Sequence, residues 1–155
     1  MKPTIAERAA FHVVGVQRRF TPATMSRIPE VWDLFVPRIG ELSHAVGDRT
    51  YGVCQDEADG PGTFAYTAGI EVADLTQVPD GMVGFTVPPG TWAVFVHRGH
   101  ISKIAATFDE IALHGLAAAG LRRRDARDLE VYDEAWDPAT GLGDVEIHIP
   151  VHRPT

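Results

Sequence analysis

The 155-residue sequence lacks several features that mark particular classes of protein. It has one cysteine, Cys54, so an internal disulfide is impossible and a reducing compartment is favoured. No apolar run is long enough to span a bilayer, and the residues after Met1 do not form the apolar segment of a signal peptide. These absences predict a soluble, cytoplasmic domain with no membrane partner.

Basic residues are also in deficit. The chain carries 14 Lys and Arg against 21 Asp and Glu, a formal net charge of −7 at pH 7. Because nucleic-acid-binding domains usually present a basic surface, this balance argues against direct contact with nucleic acid. The basic cluster of Arg122, Arg123, Arg124 and Arg127 follows a predicted helix end, and we interpret it as a solvated helix terminus where cations are favoured by the helix dipole.

The common catalytic and cofactor motifs are missing as well. None of the seven histidines has cysteine or carboxylate companions at the spacing of a zinc site. None of the three serines lies in a nucleophile elbow, and Gly60-Pro61-Gly62 matches no phosphate-binding loop. The sequence therefore predicts neither a metal nor a cofactor.

The hydrophobic pattern alternates between strand and helix periods. A helix is predicted from an N-cap at Ser26, with apolar positions at helical spacing as far as Leu42 and a kink or early end at Pro37. A second helix covers residues 101–116 and stops at Gly120. A turn is predicted at residues 59–62. Strands are predicted at residues 11–16, 51–55, 64–72, 91–97, 129–133 and 145–151.

The order of these elements repeats. Each half reads strand, helix, strand, turn, strand, with pseudo-repeats at roughly residues 8–80 and 81–155. A duplicated β-α-β-β unit predicts an α+β fold in one domain, residues 1–155. Its single antiparallel sheet is expected to carry both helices on one face and a ligand groove on the other.

Strand alternation assigns the polar residues near the end of the chain to faces of this sheet. In residues 145–151 the valines and isoleucines form an apolar row, so Glu146 and His148 share the opposite face. In residues 129–132, Leu129 and Val131 form the core row, so Glu130 and Tyr132 lie on that same open face. If the two strands are neighbours, a carboxylate, a phenol and an imidazole come together there. One interpretation is a binding site for an amphipathic cation, and the other is a set of solvated residues on an exposed sheet face.

The second half of the chain carries a recognisable combination of motifs. Residues 87–99 read VPPGTWAVFVHRG, a helix with Phe-Asp-Glu-Ile at 108–111 follows, then Leu-Glu-Val-Tyr at 129–132 and Asp-Val-Glu-Ile-His-Ile-Pro-Val at 144–151. From Phe11 onward the chain resembles the GyrI-like small-molecule-binding family. The same domain forms the effector-binding part of AraC-type and MerR-type bacterial transcription activators.

The resemblance implies a tandem β-α-β-β sheet with a ligand groove between the repeats. It implies that Glu146, the acidic residue of the last strand, contacts cationic, lipophilic ligands. The Glu-x-Tyr strand matches Glu130 and Tyr132, and the aromatic after the Pro-Gly turn matches Trp92. The position two after the acid is often aromatic in this family, and His148 here makes the site more polar.

Three functions stay open at this stage. The first is a stand-alone binding domain that senses or sequesters an amphipathic xenobiotic, in the manner of multidrug-binding effector domains. The second is a hydrolase of reactive cyclopropane-type toxins, with Glu146 as general base and Tyr132 as hydrogen-bond donor. The third is a protein-interaction role, as an inhibitor of DNA gyrase or a partner of a transcription regulator. A monomer and a homodimer are both compatible with the sequence.

Overall fold

A computed structural model describes residues 1–57 and 62–154. The turn predicted at residues 59–62 lies outside these ranges except for Gly62. The strands are β1 (Thr4–Arg8), β2 (Phe11–Phe20), β3 (Ala45–Asp56), β4 (Phe64–Val72), β5 (Val83–Val87), β6 (Gly90–His97), β7 (Asp128–Tyr132), β8 (Trp136–Asp137), β9 (Leu142–Gly143) and β10 (Val145–Val151). The α-helices are α1 (Ile28–Phe35), α2 (Ile104–Glu110) and α3 (Leu116–Ala118).

All six predicted strands are present, and the antiparallel pairing and the α+β class are confirmed. The chain forms two compact units. We call Ala10–Pro88 the central unit, and Met1–Ala9 together with Pro89–Thr155 the terminal unit. The internal duplication stays a prediction. Within the described ranges, no helix has the length and apolar character needed to cross a membrane.

The central unit is a four-stranded antiparallel sheet in the order β3-β4-β2-β5, with α1 packed on one face. Helix residues Val31 and Phe35 join Val14, Ala68 and Ile70 of the sheet in one buried cluster. The α-helix ends at Phe35 and continues to Glu41 as a 3₁₀ helix, as the position of Pro37 predicts.

The predicted start of this first helix is wrong. Ser26 does not cap the helix, because the chain already turns as a 3₁₀ helix over Met25–Arg27 and α1 begins after Arg27. Thr24 precedes this 3₁₀ turn without a side-chain cap bond, and its hydroxyl instead accepts from the backbone N–H of Thr21 in the turn before it. A tight turn before an α-helix leaves no hydrophobic signature, so the pattern could not reveal it.

The terminal unit is a four-stranded antiparallel sheet in the order β1-β6-β10-β7, with a short β8-β9 pair beside it. Its helical segment covers one face, which we call the helix face, and the buried cluster there contains Phe95, Ile111, Ile147 and Ile149. Gly120, at φ +70°, ends the segment as predicted, and the N–H of the next residue bonds back to the helix.

The helix predicted over residues 101–116 is not one regular α-helix. It begins as a 3₁₀ turn at Ile101–Lys103, and a π-helical turn at Ile111–Gly115 separates α2 from α3. At Gly115 a Cβ atom would lie 3.1 Å from the Phe95 ring, so the absence of a side chain lets this turn pack closely on β6.

Two edge strands, β1 and β5, were not predicted. Strand β1 pairs with β6 and β5 pairs with β2, so neither pairs with the strand that directly follows it in the chain. Both are short, and much of each is exposed. The pairing partner lies far away in sequence. Strand β1 has no clear apolar alternation, and in β5 the alternating Val83, Phe85 and Val87 form only a short run, interrupted by Gly84, that did not suffice to predict a strand.

The central sheet contains a pair of directly opposed glycines, Gly15 on β2 and Gly69 on β4. A Cβ atom at Gly15 would overlap the carbonyl oxygen of Ala68 and come within 2.6 Å of the Gly69 Cα. These contacts are with backbone, which cannot move aside without breaking the strand pairing.

We expect Gly15→Ala to destabilise the protein by about 2–3 kcal/mol, because overpacking a close backbone contact shifts the paired strands. Urea unfolding followed by circular dichroism measures the change. Gly40→Ala is the matched control, since a Cβ atom there meets nothing within 4 Å. Equal unfolding midpoints for the two variants would contradict the importance of the glycine pair.

Candidate functional site

Strand β10 separates the apolar and polar residues of the terminal unit onto two faces. Ile147, Ile149 and Val151 are buried in the cluster on the helix face. Glu146 and His148 therefore lie on the other face, as the alternation predicts. Trp92 is directly opposite Pro150 in the β6–β10 pairing, which places it on that same face. We call this the opposite face of the terminal unit.

Glu146 and His148 are in direct contact. The His148 Nε2 atom lies 2.8 Å from Glu146 Oε1, where the carboxylate accepts the hydrogen bond. The His148 side chain is 6 % exposed, whereas that of Glu146 is 40 % exposed. The imidazole thus fixes one oxygen of the carboxylate while the group stays accessible to a ligand.

Apolar side chains flank this pair on both neighbouring strands. Glu146 lies opposite Val96 of β6 and Val131 of β7, and His148 lies between Val94 and Leu129 in the same way. Directly opposed residues of an antiparallel pair have their side chains on the same face. The carboxylate therefore stands within an otherwise apolar strip, which suits a ligand that has both a charge and an apolar body.

The predicted placement of Glu130 and Tyr132 is wrong. Glu130 is directly opposite Ile147, so it lies on the helix face and not with Glu146 and His148. The prediction failed because β7 is buried on both faces: Leu129 and Val131 are as deeply enclosed as Glu130 and Tyr132. When both faces are buried, the apolar residues of a strand do not identify the side that faces the helix.

Glu130 and Tyr132 nevertheless contact each other. The Tyr132 hydroxyl donates a 2.6 Å hydrogen bond to Glu130 Oε1, and both residues are buried. The Tyr132 ring packs edge-on against Trp136, with ring centroids 4.9 Å apart. The structure therefore holds this pair in the folded interior, while Glu146 and His148 are brought together elsewhere.

Trp92 lies close to His148 but is fully buried. The two ring centroids are 6.5 Å apart, and the Trp92 side chain has no exposed surface. A guanidinium group covers it: the Cζ atom of Arg124 lies 5.3 Å from the centroid of the Trp92 ring. Of the five residues predicted to bind ligand, Glu146 is thus accessible, and the other four are buried: Trp92, His148, Glu130 and Tyr132.

Arg124 is the residue of this face that sequence reasoning missed. The prediction of a solvated basic cluster holds for the exposed Arg122 and Arg123 but is wrong for Arg124 and Arg127, which are half-buried. A strand-like bridge between Arg123 and Val151 sets the alternation, and the N–H of Arg124 donates to the Pro150 carbonyl. A single bridge is too short to produce a hydrophobic period, so the sequence pattern did not indicate that Arg124 lies on this face.

Other titratable groups near the site have structural roles. The buried His97 ring lies 2.7 Å from the Thr107 hydroxyl and 3.0 Å from the carbonyl oxygen of His100, which ties β6 to the helical segment. Burial lowers the pKa of the Arg127 guanidinium. Across the part of the chain that the structure describes, no three His, Cys, Asp or Glu side chains converge as metal ligands.

The Glu130–Tyr132 contact makes a prediction about stability. We expect Tyr132→Phe to lower the free energy of unfolding by about 1–3 kcal/mol, because a buried carboxylate loses a donor. Urea unfolding measures this loss. Because Tyr132 lies on the helix face, the affinity for a ligand bound at the opposite face should stay within about twofold of wild type. This is well below a tenfold change in affinity, which corresponds to about 1.4 kcal/mol. A stable variant with strongly weakened ligand binding would contradict the assignment of the two faces.

Comparison with known proteins agrees with this architecture. The model of the GyrI-like small molecule binding domain matches residues 1–152. The transcriptional regulator BrlR of Pseudomonas aeruginosa is 37 % identical over 154 residues, which is 98 % of this chain but 56 % of BrlR, so the chain spans little more than half of that relative.

Solved structures share the fold at low sequence identity. SAV2435, solved bound to tetraphenylphosphonium, superposes with a TM-score of 0.75 at 18 % identity, over 97 % of this chain and 94 % of that one. An integron cassette protein from Vibrio cholerae superposes with a TM-score of 0.69 at 23 % identity, over 97 % and 96 %. With the match to the family model, this chain belongs to the family of GyrI-like small-molecule-binding domains.

Proposed function

We propose that this domain binds an amphipathic organic cation and acts in sensing or sequestering such compounds inside the cell. The observation that carries the proposal is the accessible Glu146 carboxylate, held by His148 within an apolar strip of the opposite face. Its direct partner is a small molecule, and it makes no direct contact with nucleic acid.

The electrostatics of Glu146 support a cation as the ligand. Its neighbours across the strands, Val96 and Val131, displace water from the sides of the carboxylate. Lower local polarity strengthens the attraction between the carboxylate and a positive charge. Val96, which is partly exposed, offers apolar surface to the body of the ligand, and binding gains free energy as that surface leaves water.

His148 supports this role by orienting the acid. Its Nε2–H bond to Glu146 Oε1 fixes the carboxylate, so less side-chain conformational entropy is lost when a ligand binds. The Glu146 side chain remains 40 % exposed, and its exposed part forms the contact that we assign to the cation.

The relatives favour a sensing role. BrlR is a transcriptional regulator, and this chain matches a little over half of it, which fits an effector-binding part. SAV2435 was solved with tetraphenylphosphonium, a lipophilic cation of the class proposed here. Sequestration by the domain alone uses the same site, so the two roles share one binding mechanism.

Hydrolysis is the second candidate, and the Glu146–His148 contact is the observation that favours it. In this mechanism Glu146, oriented by His148, would act as the general base that takes a proton from the water attacking a strained electrophile. Turnover of cyclopropane-containing electrophiles, followed by mass spectrometry, should then be lost in Glu146→Gln. Equal product from wild type and variant would remove this candidate.

Inhibition of gyrase stays a prediction from the resemblance, and a supercoiling assay tests it.

The proposed binding function is tested by measuring the affinity of the protein for tetraphenylphosphonium with isothermal titration calorimetry. We expect Glu146→Gln to weaken binding by about tenfold or more, because loss of a charge-assisted contact costs about 1.5–3 kcal/mol. Glu110→Gln removes the same charge from an exposed position on α2 and is the matched control.

The control should bind as wild type does, within about twofold, since exposed charges at a distance are screened by salt. Equal affinity of Glu146→Gln and Glu110→Gln would remove Glu146 from the binding mechanism. Failure of wild type to bind any of a panel of lipophilic cations would overturn the proposed ligand class.

A further inference from the structure

We infer that Arg124 determines which cations the site accepts, and that its preferred ligands carry a hydrogen-bond acceptor or a carboxylate at the end opposite their positive charge. This inference rests on the proposed binding of a cation at Glu146. It extends that proposal by naming the second recognition element and the chemical class that fits both.

The first observation is that the Trp92 ring is already occupied. The Arg124 guanidinium lies over it at 5.3 Å, and the ring has no exposed surface left. An aromatic face attracts one cation at a time within about 6 Å. A ligand cation therefore cannot use Trp92, and the positive charge of Arg124 repels it from that end of the opposite face.

The second observation concerns how Arg124 is held. Its Nε donates to the Val151 carbonyl at 3.3 Å and its Nη2 to the Thr91 carbonyl at 3.2 Å. These acceptors are neutral, and no ion pair within residues 1–57 and 62–154 includes Arg124. The guanidinium is thus positioned rigidly while keeping its positive charge, and the two bonds engage only two of its five N–H donors.

The third observation is a donor without an acceptor. Across the described part of the chain, the buried Nε1 of Trp92 has no hydrogen-bond partner. Leaving a buried donor unpaired is costly, but the Trp92 side chain has no exposed surface, so this donor does not itself meet a ligand. The partly exposed Arg124 is therefore the group that favours an acceptor-bearing ligand at this end.

The strand register gives the distance between the two ends. Trp92 and Val96 are four residues apart on β6, and Val96 lies opposite Glu146. At about 3.4 Å per residue this separates the Arg124–Trp92 end from Glu146 by about 14 Å. The opposite face thus presents a negative group and a positive group at fixed spacing, which matches a long zwitterion or a cation with a distal acceptor.

A matched pair of ligands tests this arrangement. One is a triphenylphosphonium with a linear alkyl chain long enough to span the distance, and the other carries a carboxylate at the end of the same chain. We expect wild type to bind the carboxylate-bearing ligand about tenfold more tightly than the plain one, because it gains a charge-assisted bond to Arg124.

Arg124→Gln should abolish that preference and should bind the plain cation a few-fold more tightly than wild type does, since the repulsion is removed. Arg122→Gln removes the same charge from an exposed neighbour and should keep the preference. Arg124→Lys retains the charge without the planar stacking and should keep part of the preference, which guards against a folding defect in the glutamine variant.

The outcomes separate this inference from the proposed function. If Arg124→Gln keeps the full preference, or weakens both ligands equally, Arg124 does not determine specificity. Glu146→Gln should weaken both ligands and leave their ratio unchanged. If it weakens neither while the ratio still depends on Arg124, the role of Glu146 fails and that of Arg124 stands.

Discussion

The register of β10 is the constraint on which the opposite face depends. Ile147, Ile149 and Val151 are almost completely buried against the helical segment, so this strand has one acceptable alignment on β6 and β7. A slip of one residue would move Glu146 and His148 into the apolar cluster on the helix face and take the isoleucines out of it, at a cost of about several kcal/mol. The position of the Glu146 carboxylate is thus set by the apolar residues between the polar ones.

That constraint also explains what the sequence could predict. For β10, three buried apolar residues alternate with polar ones, so the face of Glu146 and His148 followed from the period alone. For β7 the same rule failed, since Glu130 and Tyr132 are enclosed as fully as Leu129. Alternation reports which residues share a face, and it identifies the outward face only where one side meets water.

The remaining misses have a common physical origin. The edge strands β1 and β5 and the bridge at Arg123 are defined by backbone hydrogen bonds to distant residues, and backbone pairing leaves no trace in side-chain hydrophobicity. The 3₁₀ and π-helical turns within the two helical segments are similar, because their apolar spacing differs little from that of an α-helix. Strand β4 was predicted with its bounds, Phe64–Val72, whereas β2 and β3 extend beyond the predicted residues 11–16 and 51–55.

The two carboxylates of this unit illustrate how burial separates structure from recognition. Glu130 is buried and accepts a short hydrogen bond from Tyr132, so the interactions of this carboxylate stabilise the folded chain. Glu146 is bonded through one oxygen to His148 and remains 40 % exposed, so it can exchange water for a ligand at small cost. A site that must take up and release a charged molecule needs the second kind of acid. The partly exposed carboxylate, held but not enclosed, is therefore the one that fits reversible binding.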